Sequence, residues 1–562
     1  MTKKICIVFF FLCCTILVVA QKIMVDGIAY QVIENTNTVK VVRALNPYEG
    51  SIFIPSTIAY NQSVYQVTGV DSTAFQNNVL VTSVVMPASI HSIANVTFKG
   101  CSALRNVVLP HSVVSIGKDA FRDCASLKAI TIPAGVKRIG SGAFVGCRSL
   151  KKTMYLGAAC EWAAIKFGSK SSNPITLSNN LFINDKELTD LILSDATDSV
   201  LVHAFRDCKS LRSLKIESGV RVVGNYAFSG CSALESISLS DEVVHIGYAA
   251  FDGCSNLKVV DLSQNLRKIS GRLFRNCTAL QSVKIPDGVI ELQEESFSGC
   301  FALDSLYMPL SVRRIGESAF YSCISLRSVD IPEGVQCIEK KTFYDCVALK
   351  RLRLPSTILA IKEEAFRYCK ALKSIDLPDG LTTISKHVFR GCMALDSIRI
   401  PKSVTTIEEY AFYTCASLKS LYLPSSVKSI EKGAFMDCRA LVSIIIPEGV
   451  TRISECTFEY CDNLRQVVIP NSVVTIEVGA FSDCVSLLEV DIPEGVETIE
   501  KGAFAYCKSL EAISLPSSLK FVGKNVFVDC QNLQKIYIPY NCNSQFDSLF
   551  NDSLISSLFI EK

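Results

Sequence analysis

The chain has 562 residues, of which 49% are hydrophobic and 20% are charged, and 57 Lys and Arg nearly balance 54 Asp and Glu. This balance excludes a strongly basic nucleic-acid-binding protein and an acidic disordered chain. Five His and one Trp leave little material for a histidine-based or metal-dependent active site, and 25 Cys are too sparse for a small disulfide scaffold.

The N-terminus predicts export. Lys3 and Lys4 precede an apolar run at residues 5–19, and Ala20 provides a small residue before Gln21. A basic start, a short apolar run and a small-residue cleavage site are typical of a secretory signal peptide. We therefore expect residues 1–20 to be removed. The run is shorter than the roughly 20 residues of a membrane span, and an uncleaved anchor is the alternative.

Residues 21–62 predict an N-terminal β cap and lead-in. Residues 28–42 alternate apolar and polar side chains around residues 34–37, a pattern typical of two strands joined by a turn. Such a hairpin would cover the apolar end of the structure that follows.

From residue 63 onward a phenylalanine recurs every 23 residues. Counting that Phe as position 0, Cys follows at position 3 in 18 repeats, Leu at 6, apolar residues at 9 and 11, and Pro at 12, which accounts for 15 of the 18 prolines. The repeat phenylalanines are Phe75, Phe98, Phe121, Phe144, Phe182, Phe205, Phe228, Phe251, Phe274, Phe297, Phe320, Phe343, Phe366, Phe389, Phe412, Phe435, Phe458, Phe481, Phe504, Phe527 and Phe550.

The repeat predicts a solenoid. Apolar residues at positions 9 and 11 have the two-residue spacing of a strand, and Pro at 12 ends the strand because it lacks a donor. One unit cannot bury its apolar side alone, whereas stacked units form one continuous core. We predict a leucine-rich repeat solenoid of the α/β class, with about 21 coils of 23 residues, mostly short parallel strands, and irregular or short helical return legs. Its arrays would be residues 63–150 and 182–539.

An insertion interrupts the repeat at residues 151–181. The step from Phe144 to Phe182 is 38 residues, 15 more than a repeat, and this stretch contains Trp162. A ligand pocket there is one interpretation, and a tolerated surface insertion is the favoured one. Residues 540–562 drift from the pattern and are predicted to cap the last coil.

The position-3 cysteines form a ladder. Equivalent residues of successive coils lie about 4.8 Å apart, within disulfide reach, so a row of inter-coil disulfides is one hypothesis. Buried free thiols are the favoured hypothesis, since Cys packs well unpaired. Cys337, Cys456 and Cys542 lie outside the ladder and are the candidates for reactivity.

The F-x-x-C-x-x-L-x-x-I-x-[IL]-P cycle resembles the BspA-like (Treponema pallidum-type) leucine-rich repeats. Residues 26–30, 54–60 and 65–68 also resemble the lead-in of such proteins from Bacteroidetes-type bacteria. The resemblance covers roughly residues 50 to 562. It implies an exported or surface-displayed interaction protein, and some members act as adhesins.

The sequence contains no nucleotide-binding glycine pattern, P-loop or H-E-x-x-H motif. His203 and His387 share a repeat position but lie eight coils apart. We predict no catalytic, cofactor-binding or metal-binding residues and no enzyme activity.

The outward strand side chains are predicted at positions 7 and 10. Position 7 is mainly basic, and position 10 alternates in sign from Asp330 to Arg399 between two tyrosines. The alternation could hold the sheet in register through ion pairs, or the row could bind a ligand. The predicted binding face comprises Tyr307, Arg327, Asp330, Lys350, Arg353, Lys373, Asp376, Arg399, Lys419 and Tyr422.

These features predict a secreted or cell-surface protein that binds a protein or glycan, with adhesion to host or other cells as its role. We expect a monomer without a transmembrane segment in the mature chain and without a nucleic-acid partner. A periplasmic envelope scaffold is the alternative, and an enzyme with its site in residues 145–181 is a minor one.

Overall fold

A computed structural model describes residues 21–194, 197–550 and 553–562. The predicted signal peptide lies outside these residues. The chain forms two compact units: unit 1 comprises the described residues up to Ala158 with Ile165–Ser178 and Phe182–Asp185, and unit 2 comprises Ala159–Ala164, Asn179–Leu181 and the described residues from Lys186 onward.

The fold is a β-solenoid of about 21 turns spaced about 23 residues apart, with about 4% helix. This confirms the predicted solenoid and its period. The described part of the chain contains no helix that is long and apolar enough to cross a membrane.

The N-terminal residues form a five-stranded sheet. The predicted hairpin turn is present, because Ile33 and Thr38 are antiparallel partners on either side of it. In sheet order the strands are Lys22–Val25, Ile28–Ile33, Thr38–Val41, Ser63–Val70 and Thr57–Tyr60.

The first set of parallel strands, which we call stack A, lies at positions 8–10 of the repeat. In unit 1 its strands are Gly50–Phe53, Val81–Val85, Asn106–Val108, Ala129–Ile132, Lys152–Tyr155 and Phe182–Ile183. In unit 2 they are Asp190–Leu193, Ser213–Ile216, Ser236–Leu239, Val259–Asp261, Ser282–Lys284, Ser305–Tyr307, Ser328–Asp330, Arg351–Arg353, Ser443–Ile445, Gln466–Val468, Glu489–Asp491, Ala512–Ser514, Lys535–Ile538 and Phe559–Glu561. Single bridges, Asp376 to Arg399 and Ser420 to Ser443, extend the pairing between them.

The return leg contains a second set of two-residue parallel strands, stack B, at positions 17 and 18. In unit 1 these are Ser92–Ile93, Ser115–Ile116, Arg138–Ile139 and Lys166–Phe167. In unit 2 they are Ser199–Val200, Val222–Val223, His245–Ile246, Lys268–Ile269, Glu291–Leu292, Arg314–Ile315, Cys337–Ile338, Ala360–Ile361, Thr383–Ile384, Thr406–Ile407, Ser429–Ile430, Arg452–Ile453, Thr475–Ile476, Thr498–Ile499 and Phe521–Val522. A further short strand, Lys186–Glu187, precedes the first coil of unit 2.

Helical structure in the described residues is confined to the insertion and the C-terminal cap. The segments are Ala159–Ala163, Ile175–Ser178, Asn543–Phe550 and Ser553–Ser556, with one 3-10 turn at Lys170–Ser172.

The core of each unit is a column of stacked phenylalanines. In unit 1 the rings of Phe98 and Phe121 lie 5.3 Å apart at 6°, and in unit 2 those of Phe205 and Phe228 lie 5.3 Å apart at 2°. Aromatic pairs contribute about 0.5–1.5 kcal/mol each beyond their buried area. Leu and the apolar residues at positions 9 and 11 surround the column, as Val329 and Ile331 illustrate.

Phe182 lies outside this column, so its assignment as a repeat phenylalanine is wrong. Its ring is half-buried in the strand Phe182–Ile183, with the Lys152 ammonium 4.4 Å from the ring centroid. At Phe98 and Phe121, and from Phe205 to Phe504, the repeat Phe N–H donates to the carbonyl before the next repeat Phe, as Phe205 does to Ala227. At the first coil of unit 2 the Trp162 indole Nε1 donates to Ala204 O at 2.7 Å. The insertion therefore supplies a buried core residue and is not a surface loop.

Candidate functional site

Stack A carries the candidate site because its strands alternate buried and outward side chains. In the strand Ser328–Asp330, Val329 is buried while Ser328 and Asp330 are exposed. The outward strand positions are therefore 8 and 10, and position 7 is an exposed residue just before the strand, as at Arg327. The prediction placed position 7 in the strand and did not include position 8.

All ten predicted face residues are exposed, and all belong to unit 2. The register brings some of them side by side, with Asp330 opposite Arg353 and Asp376 opposite Arg399. They form an outward row rather than a pocket.

The predicted ion-pair ladder at position 10 is wrong. Asp330 pairs with Arg351 at position 8, at 3.2 Å, and Arg399 pairs with Asp379 in the following turn, at 2.9 Å. The nearest oppositely charged side chain is diagonal or in the turn rather than directly across. These pairs are largely exposed, and such pairs contribute about 0–1 kcal/mol.

An alternating ladder of charges exists instead at position 20. Lys340 pairs with Glu363 at 2.8 Å, and Lys386 with Glu409 at 2.5 Å. Hydrogen bonding to Glu409 raises the pKa of Lys386, and the same bond lowers the pKa of Glu409. The signal was present in the sequence as alternating residues in successive repeats: Glu317, Lys340, Glu363, Lys386, Glu409, Lys432 and Glu455.

The outward face also carries an apolar patch that sequence analysis missed. Tyr422, Ile445 and Val468 occupy position 10 in three consecutive coils, with exposed fractions of 75%, 65% and 45%. Val442 and Leu488 at position 7 are exposed as well. We call these five residues the apolar patch. Neither Ile445 nor Val468 is charged or aromatic, which is why a search for ionic and aromatic side chains passed over them.

Basic side chains without carboxylate partners lie on the same outward face as the apolar patch, and two of them, Lys419 and Arg465, lie in its coils. Among the described residues, six basic side chains of the face lie in no ion pair within 4.0 Å: Arg327, Lys350, Arg353, Lys373, Lys419 and Arg465. From the coil of Phe297 to that of Phe458, positions 7 and 10 carry seven basic residues but only four acidic ones: Asp304, Asp330, Asp376 and Asp396. The face therefore has a net positive charge on a chain that is nearly neutral overall.

The ladder cysteines are free thiols in the described structure and act as donors. The Cys323 thiol donates to Phe297 O at 3.2 Å in the preceding coil, and the same bond recurs along the ladder. Cys208 differs and contacts Ser210 Oγ, because Phe182 is absent from the column. Burial raises the pKa of Cys300 to about 12. These residues are structural.

Two of the three cysteines predicted to be reactive have thiols that are unsuited to nucleophilic reaction. Burial, together with nearby Glu339, raises the pKa of Cys337 to about 11. Burial and Glu459 raise the pKa of Cys456 to about 12. The thiolate is the nucleophile, so both thiols are protonated near neutral pH.

The histidines do not assemble into a site. The His387 ring stacks on Tyr410 at 5.2 Å, and burial together with Arg390 lowers the pKa of His387. Among the described residues, no group of three His, Cys, Asp or Glu side chains has the geometry of a metal site.

Comparison with known proteins agrees with this architecture. The family model of the BspA type leucine rich repeat region matches in six copies, over residues 68–157, 175–304, 291–415, 338–465, 382–507 and 451–562. The chain belongs to the BspA-type leucine-rich repeat family. This confirms the family resemblance of the repeat, and the family's leucine-rich repeat is a protein-interaction scaffold.

The chain is also similar to solved leucine-rich repeat proteins. One from Bacteroides ovatus is 23% identical, with 96% of this chain and 99% of that chain covered and a TM-score of 0.26. The Treponema pallidum leucine rich repeat protein is 30% identical, with 33% and 83% covered and a TM-score of 0.27. A leucine rich cell surface protein from Faecalibacterium prausnitzii is 20% identical, with 95% and 98% covered and a TM-score of 0.20. No curated protein matches.

Proposed function

We propose that this chain is an exported, non-enzymatic protein that binds another protein through the outward face of stack A in unit 2. Adhesion to host or other cells is the role we assign to it. The ten predicted face residues and the apolar patch form the proposed binding surface.

The apolar patch is the observation that supports this proposal most directly. Parallel sheets are normally covered on both faces, and contiguous exposed apolar surface marks sites of protein interaction. Tyr422 and Ile445 are the most exposed members of the patch. A large aromatic or aliphatic side chain surrounded by polar groups is the usual composition of an interface hot spot.

Charge defines the partner further. Lys419 and Arg465, the unpaired cations in the coils of Tyr422 and Val468, attract carboxylates, and such complementarity raises association rates and selects partners. We infer that the partner presents an apolar side chain flanked by acidic residues.

Photo-crosslinking tests this proposal. A benzophenone amino acid replaces Ile445 or, as the matched control, Ile192, which also occupies position 10 and is 62% exposed. We expect expressing cells to give a discrete crosslinked partner at position 445 and none at position 192. Equal crosslinking at both positions would contradict the assignment.

The captured partner then permits a quantitative test. We expect Tyr422→Ser and Ile445→Ser each to weaken its binding about tenfold or more, because truncated hot spots cost over about 1 kcal/mol. Ile192→Ser should leave the Kd unchanged. Loss of binding in the control alone, or in none of the variants, would refute a stack A binding site at the patch.

A further inference from the structure

A groove along stack B of unit 1 is lined by basic side chains and by no acidic ones. It has a volume of about 640 Å³, and its titratable lining residues are Lys118, Arg138 and Lys166. All three side chains are exposed, and in the described structure none lies in an ion pair within 4.0 Å. No acidic residue lines the groove.

The cations lie next to one another on consecutive coils. Ser115 is opposite Arg138, and Arg138 is directly opposite Lys166. Like charges directly opposite each other destabilise a sheet. In unit 2 the three consecutive charged residues at position 17 alternate in sign, because Lys268 is opposite Glu291 and Glu291 is opposite Arg314, with 3.3 Å between the last two charged groups. The neighbouring cations of unit 1 have no such carboxylate between them.

Glycines open the floor of the groove. Gly117 and Gly140 occupy position 19, where an added Cβ would lie 2.5 Å from Asn95 N and 2.4 Å from Lys118 N. The close approach of consecutive coils thus excludes any side chain at these places. In unit 2, position 19 carries glycine in some coils, such as Gly224 and Gly247, and glutamate in others, such as Glu408 and Glu431. The result in unit 1 is a shallow basic channel across four coils, about 14 Å long at strand spacing.

We propose that this channel binds a linear anionic polysaccharide, whose sulfate or carboxylate groups pair with Arg138, Lys166 and Lys118. A linear chain of anions matches cations that are repeated from coil to coil, and its binding removes the repulsion between them. A nucleic acid fits less well because bases bind on exposed aromatic side chains, and Phe167, the aromatic residue in the lining, is buried. This site is in a different unit and on a different stack from the proposed protein-binding face.

The test measures binding and stability in the same variants. Fluorescent heparin, polygalacturonate and single-stranded DNA are titrated against the purified protein at about 50 mM and about 150 mM salt. The variants are Arg138→Gln, Lys166→Gln and the double substitution. Arg314→Gln is the matched control, since Arg314 also occupies position 17 and is exposed but faces Glu291.

We expect the double variant to weaken glycan binding about tenfold or more and to flatten its salt dependence. The same variant should raise the midpoint of urea unfolding, because it removes a like-charge contact. Arg314→Gln should leave binding within about twofold and should not raise the midpoint. Binding of heparin alone assigns the site to sulfates, binding of polygalacturonate alone assigns it to carboxylates, and either result supports the proposal.

Three results would overturn it. One is that neither glycan binds at the lower salt concentration. Another is that single-stranded DNA binds as tightly as the better glycan. The third is that Arg314→Gln weakens glycan binding as much as the double variant does, which would indicate attraction to the surface as a whole.

Discussion

Left-handed backbone conformations recur at two positions of the repeat, 2 and 21, on either side of the stacked Phe. Asp123 and Asn276 occupy position 2 with φ of 61° and 59°, and Ala249 occupies position 21 with φ of 52°. Residues with short polar side chains tolerate this region, whereas a β-branched residue there is strained. The sequence places polar residues at most of these positions but not at all of them.

Val96 is an apolar β-branched residue in this region and provides a test of the strain. It occupies position 21 with φ of 53°, and we expect Val96→Asn to stabilise the protein by about 1 kcal/mol by relieving the left-handed penalty. The readout is the midpoint of urea unfolding. Val114→Asn, at an exposed valine outside these left-handed positions, is the control and should not stabilise. A lower midpoint for Val96→Asn would disprove the strain.

Thiol reactivity is the second prediction at this scale. Burial raises the pKa of Cys101 and Cys392 to about 12, which leaves about one thiolate in ten thousand at pH 8. Interaction with the neighbouring Cys507 side chain lowers the pKa of Cys530, which is also only half-buried. We expect iodoacetamide at pH 8 to label Cys530 first within the ladder, and the rest only after unfolding in urea.

Mass spectrometry of the labelled peptides decides the outcome. Half-buried Cys542 lies outside the ladder and is the internal reference for an accessible thiol. Ladder cysteines that stay unlabelled in urea until a reductant is added would instead be disulfides. Ladder cysteines that react as fast as Cys542 in the native protein would contradict the buried-thiol structure.

At the scale of the element, the insertion decides how unit 2 begins. Trp162 is fully buried, and its indole N–H provides the donor that a repeat Phe would otherwise supply to Ala204 O. The sequence pattern assigned this role to Phe182 because counting by 23 from Phe205 lands on it. Repeat spacing alone does not show whether Trp162 or Phe182 enters the aromatic column, because the insertion interrupts the 23-residue period.

Trp162 therefore allows a graded prediction. We expect Trp162→Ala to destabilise unit 2 by about 3–5 kcal/mol, since it removes a large buried side chain. Trp162→Phe keeps much of the ring volume but removes the hydrogen bond to Ala204 O, at a cost of about 0.5–1.5 kcal/mol. Amide hydrogen exchange in the first coils of unit 2 measures the loss of stability in each variant.

The comparison has a matched control in the column itself. Phe228→Leu removes an aromatic ring without removing a donor, and it should cost less than Trp162→Ala. Equal exchange in Trp162→Ala and in the unchanged protein would show that the indole does not support the first coil.

For the whole molecule, the central question is which side of the cell envelope the protein faces. We expect protease treatment of intact expressing cells to digest the repeat array while periplasmic control proteins survive, because an adhesin must face outward. An antibody to the array provides the readout. Protection of the array would favour the envelope scaffold, whose partners belong to the same cell, over adhesion.

Much of the fold was predictable because it depends on local periodicity. A 23-residue recurrence of Phe, Leu and Pro is enough to specify coils, short parallel strands and a shared core, since each unit needs its neighbours to bury its apolar side. The turn at residues 34–37 was predictable for the same reason, as alternation on both sides of it is a local signal. The family followed from the repeat.

Features that depend on which side chains meet across coils were accessible only from three-dimensional contacts. Asp330 forms its ion pair with Arg351 rather than with Arg353. The charges at position 20 form ion pairs between coils, whereas those at position 10 do not. Trp162 takes the place of Phe182 at the start of unit 2. A repeat pattern indicates which positions face outward. It does not give the rotamers, the distances between diagonal neighbours or the effect of an insertion on the period, and these determine which side chains come into contact. The exposed Tyr422–Ile445–Val468 row and the Arg138–Lys166 channel each combine residues from different coils. Both surfaces therefore form only when consecutive coils pack together.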